Sequence, residues 1–573
     1  MNRWRQFRAS PLSRHPSLFL RKVAKRLGWV PEQLKVPAAP VREVTYPAHW
    51  ERELRAWLAA VPWQPGPHPF NRVFGQEFDE DLLLRLCRDG PDPGVSGLTG
   101  DIKLIWDYSR GQPLVTNAVA GAAPLGDCEA FLRRWREANH DFTGAAWRCA
   151  MDTGIRGVNW CFADVLFGGE LGRRMGTAEW AGALWQHGWM TFRHLEALMV
   201  SSNHYFANLL GLEVLGSIFP GDSTAGNWRR FAEGDFPRAL LAQTRADGGA
   251  NEGSLRYHAY VTEMALLFRL AQGRPFPAPA EERLRGMCQV VADFQDATGD
   301  VFAFGDDDSG RVLALDAAAK EGRVPILLRL AAQVLGEALA PASERLCPAS
   351  GWWVKRTGEF TAALEFGGVG FHGQGGHAHN DDLSLAVDWR GHPVIVDPGS
   401  YLYTADRVAR NRLRSTVVHN TIMVDGREQR VMTSEPFELI GSDAPGQSER
   451  VAPDTWAFTC ARADGVRHRR EITGSTTEIR VRDTIEGRGT HSLRWRFTLH
   501  PHVTAEATGL GWRLSLPGVG TLRLETGTPQ LSRKTVASEF SPGYGKVEST
   551  LGCVAEGKFT LPCTLEWRLS VEG

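Results

Sequence analysis

The chain has 573 residues, 43% hydrophobic and 23% charged, with a formal net charge of −1. That length holds two or three domains, and the composition is that of an ordinary globular protein rather than a disordered or fibrous one. A charge so near zero excludes a global field that would draw in a polyanion, and nucleic acid is not an expected partner. Any anionic ligand must be met by a local cationic groove.

Nine cysteines are scattered without a CxxC pair, which argues against a disulfide framework and fits a reducing compartment. Twenty tryptophans are an unusually rich supply; most are expected in the core, with a minority offering flat faces to a sugar.

Residues 1–45 form a basic segment that turns Pro-rich at Pro31, Pro37 and Pro40. A short amphipathic helix is expected over 17–29, docked on the protein because its apolar face is too small for a membrane. The longest apolar run there, Leu18-Phe19-Leu20, is too short for a signal peptide's hydrophobic region, and no later stretch approaches a spanning helix. On that ground a cytoplasmic location is expected.

From 46 to 125 irregular Trp- and Pro-rich segments mix with short helices. Apolar residues then recur at three- and four-residue spacing, predicting helices over 128–139, 157–168, 178–199, 204–215, 223–243, 255–272, 280–298 and 324–335. Serial hairpins of this length predict an (α/α) toroid over 46–345 rather than a four-helix bundle. Composition changes near 346. Short alternating stretches punctuated by Gly, Asp, Asn and Pro predict an antiparallel β-sandwich over 350–573.

Two segments of the helical half carry polar clusters. One runs from His194-Leu195-Glu196 to Ser202-Asn203-His204-Tyr205, where Ser202 or Asn203 serves equally well as a helix cap. In the other, Asp247-Gly248-Gly249-Ala250-Asn251-Glu252-Gly253-Ser254 leads into a helix whose first turn holds Arg256, Tyr257 and His258. Asp306-Asp307-Asp308 lacks the EF-hand spacing for calcium and reads as a polar interhelical loop. Arg407, Arg410, Arg412 and Arg414 make the most basic run of the C-terminal half. Its plainest reading is a solvated loop, and its functional one is bidentate capture of carboxylate or sulfate.

Residues 375–420 are the densest in chemistry. His377-Ala378-His379 leads into Leu383, Leu385, Val387 and Trp389 at every second position, a strand's period. A second strand ends in Asp397-Pro398-Gly399, and a third, over 416–424, carries His419 and Asn420. Three adjacent strands of one sheet would bring His379, Asp397 and His419 together. Two imidazoles and a carboxylate suit zinc or a similar divalent ion with one position left for water.

HxHxDxLS from His377, the DPG at Asp397, HNT at His419, SNHYxANLxGL from Ser202 and DGGxxExSxxYH from Asp247 all stand in one order over roughly 150–425. Together they resemble the signatures of the heparinase II/III-like polysaccharide lyases, relatives of some alginate lyases. The resemblance implies the same toroid-plus-sandwich architecture. It also implies a structural metal, usually zinc, on His379, Asp397 and His419, and no organic cofactor. By that resemblance Asn203 neutralises the substrate carboxylate, Tyr257 is the acid or acid/base, and His204 or His377 is the histidine base. Arg256, Glu252 and Tyr260 are expected to line the site, with Arg410, Arg412 and Arg414 as further substrate contacts. Many relatives are periplasmic or secreted, which stands as the alternative location.

The chemistry gives these residue types their work. A uronate lyase removes the C5 proton beside the carboxylate and expels the C4 oxygen by β-elimination, leaving an unsaturated uronate end. An amide donor lowers that barrier by neutralising the carboxylate, while a base and an acid act on C5 and O4. The expected substrate is an anionic, uronic-acid-containing polysaccharide or oligosaccharide of glycosaminoglycan, alginate or exopolysaccharide type. One rival is a toroidal glycoside hydrolase, which needs two carboxylates about 5–10 Å apart, with Asp306–Asp308 and Glu252 as the candidates. The other is a non-catalytic polysaccharide-binding or assembly protein of exopolysaccharide synthesis.

Overall fold

The computed structural model describes residues 36–64, 66, 68–92, 94–95, 97–120, 124–197, 202–462 and 465–572; the helix expected over 17–29 lies outside them. The chain divides into two compact units. A helical unit runs to Thr244 and includes Tyr260–Cys288 and Arg311–Leu339; a β-rich unit holds Arg245–Ala259, Gln289–Gly310 and Ala340–Gly573. Two segments from the helical stretch of the sequence thus belong with the strands. Asp247 shows why: its carboxylate accepts the amides of Ala349 and Ser350 and the Ser350 hydroxyl at 2.7–2.8 Å. Ser254 donates its hydroxyl to the Asp306 carbonyl at 2.7 Å.

In the helical unit the periodicity translates directly into structure. The helix Ser223–Gln243 matches its apolar pattern and is capped by Asp222, whose side chain accepts the Ala225 N–H. At the centre lie Ala150–Leu166, every residue of which is buried, and Asn203–Ser217. They meet through glycine: a Cβ on Gly211 would lie 2.6 Å from the Gly154 Cα, so only bare backbone permits this approach. The helix expected over 178–199 ends at Arg193. Beyond it Glu196 accepts the Met151 N–H at 2.7 Å and gives its own N–H to Asn208 at 2.6 Å, bonds that a continuing helix would forbid. Among the described residues no helix is long and apolar enough to cross a membrane.

The β-rich unit contains three main sheets, antiparallel throughout. A five-stranded meander runs Glu344–Cys347, Trp352–Thr357, Phe360–Glu365, Leu385–Trp389 and His392–Ile395. An eight-stranded sheet includes Thr455–Ala461, Arg467–Gly474 and Glu478–Glu486, and a four-stranded sheet ends Glu548–Thr560, Thr490–Thr498, Ile422–Val424. Alternation along Glu478–Glu486 buries Ile479, Val481, Asp483 and Ile485 in turn. One core joins the sheets, with Trp353 and Leu385 of the first, Phe458 and Trp512 of the second and Trp495 and Ile422 of the third. Among the described residues twelve tryptophans are fully buried, so packing is the main use of that residue there.

Two expectations need correction. The strand over 416–424 is a 3₁₀ turn, Thr416–Val418, followed by the short strand Ile422–Val424. That strand pairs with Thr490–Thr498, so it lies in a different sheet from Leu385–Trp389 and His392–Ile395. The arginine run is not a loop: Asp406 caps a helix at Arg407–Leu413, accepting the Ala409 N–H at 2.9 Å.

Candidate active site

A single carboxylate in the β-rich unit gathers three of the polar side chains singled out in the sequence. Asp306 Oδ2 lies 2.9 Å from His377 Nδ1, and its Oδ1 lies 2.9 Å from His379 Nε2. Arg410 grips both oxygens, Nη1 to Oδ1 at 2.9 Å and Nη2 to Oδ2 at 2.8 Å, the fork geometry in which a guanidinium binds strongly. Asp306 and Arg410 are both fully buried. Burial alone would push this carboxyl up, but the Arg410 charge and the two imidazoles hold it well below the usual carboxylate range. The backbone positions it tightly. The Asp306 N–H donates to the His377 carbonyl at 2.9 Å, and Gly305 precedes it at φ +74°, where a Cβ would lie 2.5 Å from the Gly253 carbonyl oxygen.

His377 stacks on Tyr257, ring centroids 3.7 Å apart and planes 19° from parallel. Tyr257 sits in the first turn of the helix Leu255–Gln272. Its hydroxyl donates to Asp308 Oδ2 at 2.9 Å and lies 3.0 Å from the Tyr403 hydroxyl. Burial, then the nearby Asp308 and Asp306 charges, raise the Tyr257 hydroxyl well above its ordinary value, so it keeps its proton throughout the neutral range. Nothing in the sequence marks Tyr403, which follows the DPG turn closely, and Asp308 reads there as a loop acid or a hydrolase carboxylate rather than as the partner of Tyr257.

His379, Asp397 and His419 converge although their flanking strands belong to two sheets. Their ligand atoms all lie within 4.8 Å of one another and all three residues are buried. Asn420 fastens the convergence: its amide donates to the Leu385 and Val396 carbonyls at 2.9 Å, and its oxygen accepts the Thr498 N–H at 2.7 Å. Arg470 adds donations to the Leu383 and Asn420 carbonyls at 2.6 and 2.8 Å. The donor set fits a metal ion on an observation of its own. His379 Nδ1 and His419 Nε2 are buried with no hydrogen-bond partner, an expensive state for a polar atom unless something binds there. His379 Nε2 faces Asp306, a carboxylate outside the set, at 2.9 Å, as metal-binding imidazoles usually do, while His419 Nδ1 lies 3.0 Å from Asp397 within it.

Asn203 and His204 lie in the helical unit. Ser202 holds the cap position without a side-chain cap bond and Asn203 is the first helical residue, 97% buried by its 3% exposure. Asn203 is therefore not the cap. His204 Nδ1 lies 2.9 Å from Glu196 Oε1. Tyr260 also belongs to the helical unit and is buried.

The expected substrate contacts in the β-rich unit are held by the protein itself. Arg256 pairs with Asp300 and lies 3.4 Å from Asp296 and 3.9 Å from Asp307. Glu252 is fully buried, with Oε2 3.7 Å from His377 Nε2. Arg414 is buried and donates to the carbonyls of Pro436 and Ala378. Arg412 is half exposed and paired with Glu539 at 2.8 Å. A run of like charges in sequence is thus split by one short helix into inward and outward members.

Residues 340–567 match the family model described as heparinase II/III-like, C-terminal. That region is similar to the C-terminal domain of heparinase II/III-like proteins. No curated protein matches the chain in a sequence search. Among solved structures, a heparinase III matches with TM-score 0.65 at 14% identity, covering 99% of this chain and 94% of its own. The heparan sulfate lyase HepC from Pedobacter heparinus matches with TM-score 0.56 at 14% identity, over 97% of this chain and 88% of that one. A chondroitin AC lyase of Streptomyces coelicolor A3, solved with chondroitin sulphate, gives TM-score 0.53 at 12% identity over 91% and 83% of the two chains. At such identities the likeness speaks for the fold, a helical N-terminal region followed by antiparallel sheets.

Proposed function

We propose that this protein is a polysaccharide lyase that cleaves a uronic-acid-containing polymer by β-elimination, on a helical region organised as an (α/α) toroid. The observation that carries the reading is the stacked Tyr257–His377 pair backed by two carboxylates. A proton on His377 Nδ1, donated to Asp306, leaves the Nε2 lone pair to accept the C5 proton of the uronate. Tyr257, whose proton is held firmly, supplies it to the departing O4. Acid and base in contact suit a reaction at two adjacent carbons. Asn203 is assigned to the substrate carboxylate, where an amide bond that strengthens as charge builds lowers the barrier.

His379, Asp397 and His419 would hold a zinc-class divalent ion, which when bound supplies a structural tie. Metal analysis beside a His419→Ala variant tests this; equal and negligible metal in both excludes it. The hydrolase reading is weakened because Asp306 spends both oxygens on Arg410 and two histidines and Glu252 is buried, so neither is placed as an exposed general acid. The deciding experiment scores a panel of uronate polymers, glycosaminoglycan, alginate and exopolysaccharide, for the ultraviolet absorbance of an unsaturated uronate. New reducing ends without that absorbance make the protein a hydrolase. Binding without either makes it a binding protein.

A further inference from the structure

Cys149, Glu196 and His204 come together in the helical unit from three separate places. Cys149 stands at the N-terminal boundary of the helix Ala150–Leu166, and His204 lies in the first turn of Asn203–Ser217. Glu196 lies between Arg193, where the preceding helix ends, and that second helix. The Cys149 Sγ is 3.7 and 3.8 Å from the two Glu196 oxygens and 3.9 Å from His204 Nδ1, and His204 Nδ1 is 2.9 Å from Glu196 Oε1.

We propose that Cys149, Glu196 and His204 form a second metal site, a thiolate–carboxylate–imidazole set for a zinc-class divalent ion. A tetrahedral zinc with bonds of about 2.3 Å to sulfur and about 2.1 Å to nitrogen and oxygen spaces its ligand atoms about 3.4–3.6 Å apart. The sulfur distances to Glu196 Oε1 and His204 Nδ1 need close by only a few tenths of an ångström, and the nitrogen–oxygen pair opens by about half an ångström as the ion replaces the proton between them. The carboxylate is already fixed for this. Glu196 Oε2 accepts the Met151 N–H at 2.7 Å and the Asn208 amide at 3.4 Å, leaving Oε1 on the side of His204. Such outer bonds are what orient a metal ligand. Cys149 is buried, whereas the His204 and Glu196 side chains are 35% and 25% exposed, which leaves a path for a fourth, solvent ligand. The mixed soft and hard donors favour zinc over calcium or magnesium. The assignment does not rest on the lyase reading, and it engages His204 as a ligand, leaving His377 as the histidine base.

The thiolate makes the site separable from the one at His379, which has no sulfur donor. The full-length protein, stripped with a chelator and titrated with Co²⁺, is expected to bind two equivalents and to show a thiolate-to-cobalt charge-transfer band in the near ultraviolet. Cys149→Ala loses the band and one equivalent. His204→Gln loses the same equivalent while retaining the thiol, and keeps the test sharp should the alanine variant misfold. His419→Ala loses one equivalent and keeps the band. Absence of the band in the wild-type protein, or its persistence in Cys149→Ala, overturns the proposal. Neither outcome touches the lyase reading, since neither depends on turnover.

Discussion

Two histidines each turn Nδ1 toward a carboxylate at 2.9 Å, His377 toward Asp306 and His204 toward Glu196, yet the two pairs are built differently. Asp306 is fully buried, serves two imidazoles and is gripped by a buried arginine. Glu196 is partly exposed, caps the start of a helix and has a thiol as its neighbour. The first pair resembles the fixed carboxylate that sets an imidazole's tautomer for proton transfer. The second resembles an open set of ligands. The same local contact therefore carries different chemistry according to what lies behind the carboxylate.

The largest test of the first pair is Tyr257→Phe. It keeps the ring that stacks on His377 and removes only the proton, so turnover should fall by about 10²–10⁴-fold with substrate binding nearly intact. A variant above about a tenth of wild-type rate, under about 1.4 kcal/mol of barrier, breaks the acid assignment.

Next comes the contrast itself. Asp306→Asn leaves Arg410 buried and unpaired, a change that costs about 3–5 kcal/mol in stability, and it should also lower kcat by misorienting His377. Glu196→Gln, at a partly exposed pair, should cost about 1 kcal/mol or less. Chemical denaturation of both variants checks this, and similar losses would mean that burial is not what separates the pairs.

Asn203→Ser sharpens the comparison on the helical side. If Asn203 meets the substrate carboxylate, kcat should fall more than KM rises, because the lost bond is strongest in the transition state. Since Asn203 is the first helical residue rather than the cap, thermal stability should be nearly normal. Near-normal kcat would move the carboxylate partner elsewhere.

A further test concerns a buried carboxylate whose arginine partner, Arg229, lies 3.8 Å away rather than in fork contact. Burial, and then the Glu233 charge, push Glu213 up to about 8, and one of its oxygens has no hydrogen-bond partner. With the folded value raised, its contribution to stability is fully present below the ordinary glutamate value and is lost as pH rises through about 8. Denaturation between pH 5 and 8 should therefore show declining stability that Glu213→Gln flattens. An unchanged slope would place the titration elsewhere.

The sequence by itself determined what depends on near neighbours along the chain. Apolar spacing specified helices such as Ser223–Gln243 and Leu255–Gln272, and alternation specified Leu385–Trp389 and Glu478–Glu486. Motif order brought Tyr257, His377 and the His379, Asp397, His419 set into view before any coordinates. Only the tertiary structure decided the role of Asp306, which read as a loop acid because its partners lie 71, 73 and 104 residues away. It also split the arginine run into buried and exposed members, and it brought His419 to His379 from a different sheet through Asn420. The reason is common to all three. A periodic pattern records which face of an element is buried, whereas the partner that satisfies a buried charge is chosen by whatever distant segment packs there.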